Sequence, residues 1–377
     1  MHATPSPGLS MLILCAPDKF KQACSAGQAA EALAAGVRAA GADARVLPLA
    51  DGGDGTLEVL KAAFPTSKQV AARDALGRDV PTVIGVSADG KRAMVESAQA
   101  CGLWRLAEHE RNPLETDTYG VGQMIKAALE LGVDEILLGL GGSATSDGGA
   151  GMCAALGTKF FDGNNAELLP TGGRLKDLRR VDFSALDPRL KTVRLQAMCD
   201  VMSPMLGPHG ASRKYVVQKG GTTRAMHKLE EGLSIYAQCA RNAGARADGL
   251  EPGSGAAGGM GFGTLLLGGK LIEGARKVLE LIGFERLLKG VDAVFTGEGS
   301  YDEQTADGKL IAALAHACNA AHVPLVVLAG TTRPVSIEGV TAVFTISPHG
   351  GRLQDRLTET EAALTQHAAA VTRLLAR

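Results

Sequence analysis

A glycine- and hydroxyl-rich stretch near the middle of the chain carries residue types suited to binding chemistry. An apolar run ending at Leu140 leads into GGSATSDGG (141–149), and a helical pattern follows. Glycines let backbone N–H groups approach a ligand, and such groups at a helix start bind phosphate or carboxylate. The hydroxyls add donors, and Asp147 offers a carboxylate for a cation. Taken alone, the stretch fits an anion-binding loop and an unliganded tight turn equally well.

Further polar side chains follow strands that we predict at 11–16, 44–49, 195–199 and 293–296. They are Asp18, Lys21, Asp51, Asp54, Asp200, Glu298 and Asp302. Ligands of open parallel sheets bind where the carboxyl ends of the strands meet, whereas idle loops would spread charges over both edges. Carboxylates suit magnesium held jointly with phosphates, and lysines suit the charge that develops in phosphoryl transfer. The residues alone therefore favour a metal-dependent phosphoryl-transfer enzyme.

Three stretches of the sequence match known binding motifs only in part, and we do not assign those motifs. The stretch 253–258 fits G-x-G-x-x-G but follows Pro252 instead of a strand, which weakens a dinucleotide interpretation. Residues 85–91 fit part of a P-loop, yet Arg92 stands where Ser or Thr should coordinate magnesium, so a hairpin turn is favoured. The stretch 51–55 lacks the alternating acids of a calcium loop.

Composition narrows the class of protein. A formal net charge of −1 and only 4% aromatic residues argue against nucleic acid or an anionic membrane as partners. The seven cysteines form no Cys-x-x-Cys pair, which indicates reduced thiols in the cytoplasm. No apolar run approaches the roughly 20 residues of a membrane span. The polar start, 1–10, predicts a disordered tail and not a signal peptide.

The order of predicted elements indicates two domains of α/β class. Strands and helices alternate over 1–66 and again from 285 to 377, as in a parallel sheet. Between them, 69–96 has the alternation of hairpins, and we expect 252–263 to be a loop. We therefore expect a Rossmann- or flavodoxin-like parallel-sheet domain built from 1–66 and 285–377. A mixed α/β domain (67–284) would be inserted, with the active site in the cleft between the two.

The ordered set of motifs resembles the bacterial glycerate kinase family. The residues that carry the resemblance run through nearly the whole chain. They are APD (16–18) with Phe20-Lys21, ADGGDGT (50–56), Glu115-Thr116 through Gly122, GGSATSDGG (141–149), CDV (199–201), QKG (218–220), GSGAAGG (253–259), and TGEG (296–299) with Asp302, Gln304-Thr305 and Gly308-Lys309. The stretch 141–149 is the most diagnostic of them.

The resemblance implies phosphorylation of D-glycerate by ATP with magnesium, usually to 2-phosphoglycerate. For the mechanism we expect catalysis by Lys21, Asp200, Lys219 and Asp302, and metal binding by Asp51, Asp54 and Glu298. We expect substrate or phosphate binding by Asp18, Gly141, Gly142, Ser143, Thr145, Asp147, Gly255 and Lys309. Whether Asp200 or Asp302 would orient or deprotonate the glycerate hydroxyl stays open, and oligomeric state is not readable from the sequence.

The chain departs from the family pattern near the expected site, which leaves substrate preference open. Lys19 and Gln22 stand where Ser and Gly are usual, and Ser300-Tyr301 replaces a frequent Arg-Ile. Met202-Ser203-Pro204 and Tyr215-Val216-Val217 are further departures. Two alternatives follow: a kinase for another small hydroxy acid, and a non-enzymatic ligand-binding regulator on the same scaffold.

Overall fold

A computed structural model describes residues 11–20, 23–306, 310–346 and 359–377. The expected N-terminal tail, Lys21 and Lys309 lie outside these residues. The chain divides into two compact units, which we call unit 1 (residues 1–51 and 278–377) and unit 2 (residues 52–277). This division falls near, but not at, the expected boundaries of 66/67 and 284/285.

The strands of the described ranges form two large sheets and one small one. In chain order they are β1 (Leu12–Cys15), β2 (Asp43–Val46), β3 (Thr66–Arg73), β4 (Asp79–Val86), β5 (Arg92–Glu96), β6 (Glu135–Gly139), β7 (Lys159–Asp162), β8 (Leu178–Asp182), β9 (Arg194–Met198), β10 (Lys270–Ile272), β11 (Ala293–Tyr301), β12 (Leu325–Thr332) and β13 (Ala342–Thr345).

The α-helices of the same ranges alternate with these strands. They are α1 (Ala26–Ala39), α2 (Thr56–Val59), α3 (Ala98–Cys101), α4 (Tyr119–Glu130), α5 (Ala150–Ala155), α6 (Ala211–Tyr215), α7 (Thr223–Asn242), α8 (Ala256–Leu266), α9 (Gly274–Ile282), α10 (Phe284–Leu287), α11 (Glu303–Ala306), α12 (Leu310–Ala320) and α13 (Thr360–Leu375). None of them is both long and apolar enough to cross a membrane.

Unit 1 contains a five-stranded sheet in the order β13-β12-β11-β1-β2, with every neighbouring pair parallel. Counted within the unit, this is the flavodoxin-like order 2-1-3-4-5, which confirms the expected fold class. The strand order reverses between β1 and β11. Ligands of such sheets bind beyond the carboxyl ends of the strands at that reversal. The residues after β1 and in the second half of β11 lie at this position.

Unit 2 contains a six-stranded mixed sheet in the order β10-β9-β6-β5-β4-β3. β3, β4 and β5 pair antiparallel, as the hairpin pattern predicted, and β5, β6, β9 and β10 pair parallel. β6 is buried at every position, because both faces of a parallel sheet are covered. The carboxyl ends of the parallel strands bring Glu96, the loop after Gly139, and Asp200 to one edge of the sheet.

Local signals place several elements where the sequence predicted them. Ser25 caps α1: its hydroxyl accepts from the Gln28 N–H, and the Gln28 side chain accepts from the Ser25 N–H. This reciprocal pair is a capping box, which fixes the helix start. All seven cysteines are free.

Three expectations about elements are wrong. After the loop 51–55 the sequence predicts a helix as far as Phe64, but α2 ends at Val59 and a turn follows. The stretch 252–263, expected to be a loop, includes most of α8. Its glycines made a helix look unfavourable in the sequence, but they let α8 pack closely against neighbouring backbone. The strand expected to end at Thr296 continues to Tyr301, because β12 pairs with it as far as Thr332.

Candidate active site

Two glycine-rich loops of unit 2 lie backbone against backbone. A Cβ added to Gly141 would stand 2.7 Å from the Gly53 Cα, a distance that real side chains do not reach. A Cβ on Gly142 would meet the Asp54 Cβ at 3.2 Å, and Gly142 has a left-handed φ of +64°. Glycine is required here for both space and conformation. The loop 141–149 thus brings predicted residues Gly141, Gly142 and Asp54 together.

Lys219 lies buried against the same loop and is only 2% exposed. Its ammonium donates to the Ser143 hydroxyl at 3.1 Å and to the Thr145 carbonyl oxygen. An ammonium has three donors, and the third has no acceptor within the described ranges. Burial lowers the pKa of Lys219 to about 8, against smaller opposite effects of Cys101 and Asp147. Its position supplies a localised positive charge for an anionic group.

A left-handed turn at the start of α8 encloses the Lys219 ammonium. Ala257, Gly258 and Gly259 all have positive φ, and Ala257 (φ +51°) is one of few non-glycine residues of the described chain in this region. A Cβ on Gly258 would stand 2.0 Å from the Thr145 carbonyl oxygen and 2.9 Å from Lys219 Nζ. Backbone in a sparsely populated conformation costs about 1–3 kcal/mol and marks places that the surrounding structure over-determines.

Asp147 holds the loop in shape from within. Its carboxylate is fully buried and accepts from the Thr118 hydroxyl at 2.7 Å and from the N–H groups of Thr118, Gly149 and Gly151 at 2.9–3.1 Å. Burial raises the pKa of Asp147, while these hydrogen bonds act in the opposite direction. With four donors already on its two oxygens, Asp147 fits a positioning residue better than a ligand contact.

Asp117 lies beside this network and gives a pH-dependent prediction. Burial is the main cause that raises its pKa to about 7, with a smaller contribution from Asp147. The folded state therefore binds a proton that the unfolded chain, with a carboxyl pKa near 3.8, has lost. Stability due to this group falls as pH rises from about 4 to 7.

We expect Asp117→Asn to remove that pH dependence, since an amide oxygen can still accept from the Tyr119 N–H as Asp117 does at 2.8 Å. The variant should match the wild type in urea unfolding near pH 4.5 and exceed it by about 2–4 kcal/mol at pH 8. An equal difference at both pH values would contradict the prediction. Asp79→Asn, on an exposed residue of β4, serves as the control.

Asp200 follows β9 and binds the first turn of α9. Its two oxygens accept from the N–H groups of Gly274 at 2.7 Å and Ala275 at 3.1 Å. A carboxylate at a helix N-terminus satisfies donors that have no partner within the helix. Its orientation is therefore fixed by backbone. Gly255 packs against Pro204, where a Cβ would stand 2.1 Å from the carbonyl oxygen.

Unit 1 gathers carboxylates at the reversal of its strand order. Asp18 follows β1, its N–H donates to the Gly297 carbonyl at 3.0 Å, and its carboxylate accepts from the Lys19 N–H. Burial, followed by repulsion from Asp51, raises the pKa of Asp18 to about 7, and Glu298 contributes in the same direction. Three of the predicted acids thus share one electrostatic environment.

Hydrogen bonds connect the remaining predicted acid, Asp302, to Glu298. Thr305 Oγ1 donates to Glu298 at 2.7 Å and accepts from the Asp302 N–H at 3.1 Å, while the Ser300 hydroxyl donates to the Asp302 carboxylate at 3.2 Å. Glu298 lies inside β11 and not past its end, yet beyond the point where β1 stops pairing with it. Thr305 therefore fixes the spacing of two acids.

The donor set of unit 1 fits a hard cation. No group of three metal-binding side chains is assembled within the described ranges. Magnesium, however, commonly takes one or two carboxylates and completes its shell with water and phosphate oxygens. Asp18, Asp51 and Glu298 offer carboxylate oxygens whose mutual repulsion a cation would relieve. Of the three predicted metal ligands, Asp51 and Glu298 lie in unit 1, whereas Asp54 belongs to unit 2; Asp18 was predicted to bind substrate or phosphate.

Sequence reasoning missed side chains whose role shows only in three dimensions. Glu96, 2% exposed at the end of β5, accepts a hydrogen bond from the Gly55 N–H and so ties the loop 52–55 to the sheet edge. Thr118 connects Asp147 to α5, because its hydroxyl accepts from the Met152 N–H at 2.9 Å. Neither residue stands out in the sequence, since Glu96 is one acid at the end of β5 and Thr118 one hydroxyl before α4.

Known proteins share this architecture and sequence. The model of the glycerate kinase family matches residues 13–376. Glycerate kinase of Bacillus subtilis strain 168 is 40% identical over 355 residues, which cover 92% of each chain. Glycerate 2-kinase of Escherichia coli K12 is 39% identical and covers 92% of this chain and 93% of its own.

A solved structure agrees. A crystal structure described as a candidate glycerate kinase 2 from Salmonella typhimurium LT2 superposes with a TM-score of 0.79 at 35% identity. The match covers 98% of this chain and 99% of that one. The family match covers nearly all of the chain, including both groups of site residues. The chain therefore belongs to the glycerate kinase family and is an enzyme of the kinase class.

Proposed function

We propose that the protein transfers the terminal phosphoryl group of ATP to D-glycerate and forms 2-phosphoglycerate. The observation that carries the proposal is the buried Lys219 ammonium, which has two acceptors on the loop 141–149 and a third donor without one in the described chain. A buried cation of this kind needs an anionic oxygen to complete it. Phosphate and carboxylate oxygens are the anions that a glycerate kinase handles.

The roles of the other residues follow from their surroundings. Lys219 stabilises negative charge on the transferring phosphoryl group or on the glycerate carboxylate. Asp200, fixed by two backbone N–H groups, accepts a hydrogen bond from a glycerate hydroxyl and orients it. Asp147 holds the loop 141–149 in position by accepting from the Gly149 and Gly151 N–H groups, and the Ser143 side chain offers a hydroxyl beside Lys219. Asp302, Lys21 and Lys309 keep their proposed catalytic or binding roles.

Asp51 and Glu298, with Asp18 beside them, would hold magnesium. The ion would neutralise charge on the phosphates of ATP and orient them. These three side chains would supply carboxylate oxygens to the cation, and water and phosphate oxygens would complete its shell. The Thr305 hydroxyl orients Glu298 for this task.

The proposal is tested with purified full-length protein, ATP, magnesium and a panel of hydroxy acids. ADP release should depend on D-glycerate and exceed that with L-glycerate, D-lactate and tartronate. Phosphorus and carbon NMR of the product should show the phosphate on C2. Asp200→Asn should lower kcat by about 10²-fold or more while the protein stays folded. Preference for another acid, or phosphate on C3, would overturn the corresponding part of the proposal.

A further inference from the structure

A cavity lies in unit 2, and its lining includes no residue of the loop 141–149. It has a volume of about 230 Å³ and is lined by residues that include Arg73, Tyr119, Thr158, Phe160, Glu167 and Leu168. Since liquid water occupies about 30 Å³ per molecule, the space suits a compound of fewer than ten heavy atoms. None of these residues has a role in the proposed phosphoryl transfer.

One polar group in this cavity has no partner. Thr158 is 3% exposed, and its Oγ1 makes no hydrogen bond. The Thr158 backbone is satisfied, since its N–H donates to the Cys153 carbonyl at 3.0 Å. A buried hydroxyl without a partner costs about 1–3 kcal/mol. Thr158 therefore lines the cavity while its Oγ1 stays shielded from it.

The cavity also presents one charge of each sign. The Arg73 guanidinium lies over the Tyr119 ring at 5.2 Å and makes no ion pair within 4 Å in the described chain. Glu167 has Lys159 at 3.8 Å, but both side chains are about half exposed or more, so this pair is weak. Arg73 also lowers the pKa of Asp117 without forming an ion pair with it, so its guanidinium can still bind a carboxylate, and Glu167 can accept an ammonium group.

The remaining lining is apolar. Phe160 and Leu168 are 1% and 4% exposed, and Ala154 completes this side. Phe160 is held against Tyr236, with ring centroids 5.6 Å apart, so the apolar wall belongs to the core of unit 2. Such a wall accommodates an aliphatic or small aromatic group and excludes a second charge.

We propose that this cavity is a binding site for a zwitterionic α-amino acid with an aliphatic side chain. The carboxylate binds Arg73, the ammonium group binds Glu167, and the side chain packs on Phe160 and Leu168. The proposal is independent of the phosphoryl-transfer chemistry, because it rests on residues that the reaction does not use.

Occupancy of the site has a direct route to the loop 141–149. Tyr119 begins α4, and the preceding residue, Thr118, binds Asp147 through both its N–H and its hydroxyl. α5 connects Gly149, at one end, to the turn before Thr158 at the other. A molecule that fixes Tyr119 and Thr158 therefore stabilises both elements that hold Asp147.

The test is calorimetric titration of the full-length protein with L-leucine. We expect binding in the millimolar range or tighter, and at least tenfold weaker binding of 4-methyl-2-oxopentanoate, which lacks the ammonium group, and of 3-methylbutylamine, which lacks the carboxylate. Arg73→Gln and Glu167→Gln should each weaken L-leucine binding about tenfold or more. Thr158→Val, which removes a shielded hydroxyl and keeps the side-chain shape, should change it by less than about twofold.

Controls separate a specific site from a folding effect. Arg180→Gln removes an exposed arginine that stacks on the Phe161 ring at 3.7 Å but does not line the cavity, and it should leave L-leucine binding unchanged. Thr158→Val should raise the melting temperature of the unliganded protein, because it removes an unsatisfied hydroxyl. Lack of L-leucine binding up to about 10 mM, equal binding of the two analogues, or binding that survives Arg73→Gln and Glu167→Gln would each overturn the proposal.

Discussion

Lys219→Met should reduce kcat by about 10²–10³-fold while leaving the protein folded. The substitution keeps an unbranched side chain of similar length and removes the ammonium that meets Ser143 and Thr145. Loss of one preorganised electrostatic donor typically costs this much in rate. A steady-state assay of ADP release with D-glycerate measures it, and Lys214→Met, on a partly exposed lysine of α6, is the matched control.

The stability of the Lys219→Met variant at pH 7 should equal or exceed that of the wild type, although its activity falls. The pKa of Lys219 is about 8 in the folded protein and 10.5 without burial, so the folded state binds the proton less readily. Below pH 8 the buried charge destabilises the fold, and stability from this group rises as pH increases from about 8 to 10.5. Lys219→Met removes the penalty, so its melting temperature at pH 7 should equal or exceed that of the wild type. A variant that is inactive because it is unfolded would contradict the prediction.

Asp147→Ala should destabilise unit 2 by about 3–5 kcal/mol. The substitution leaves the N–H groups of Thr118, Gly149 and Gly151 buried without an acceptor, and each such donor costs about 1–3 kcal/mol. Urea unfolding followed by circular dichroism measures the change. Because these donors shape the loop 141–149, activity should fall even under conditions where the variant is fully folded.

Asp162→Ala is the matched control for this prediction. Asp162 also accepts from two backbone N–H groups, those of Asn164 at 2.8 Å and Ala166 at 2.9 Å, but its loop is exposed. Water can replace the lost acceptor there, so the cost should stay below about 1 kcal/mol. Equal losses for the two variants would mean that burial of the Asp147 network does not matter.

Much of the fold was predictable because it follows local rules. Residues 136–138 of β6 form an apolar run because the strand is buried on both faces, and Thr222 caps the start of α7 with its hydroxyl. Alternation separated the hairpin β3–β4 from the parallel strands around it. In contrast, β7, β8 and β10 are short and carry no strong pattern, and they exist because of partners distant in sequence.

The site was predictable in its residue types but not in its contacts. Glycines and acids after strands marked the right loops, since strand ends of parallel sheets face one edge. That Asp147 points into the protein, and that Lys219 reaches back to Ser143 across 76 positions, depends on how distant segments pack. Glu96 gave no signal because an acid that ends a strand is indistinguishable, in sequence, from a solvated one.

The strand order of unit 1 has a consequence for synthesis of the chain. β1 pairs with β2 on one side and with β11 on the other. Roughly 250 residues separate β2 from β11, so at about 5–20 residues per second a ribosome needs on the order of 12–50 s between them. During that interval the edge of β1 that later pairs with β11 has unpaired backbone N–H and C=O groups, and open strand edges recruit other chains. We therefore expect the yield of folded protein in cells to respond to ribosome speed and chaperone supply.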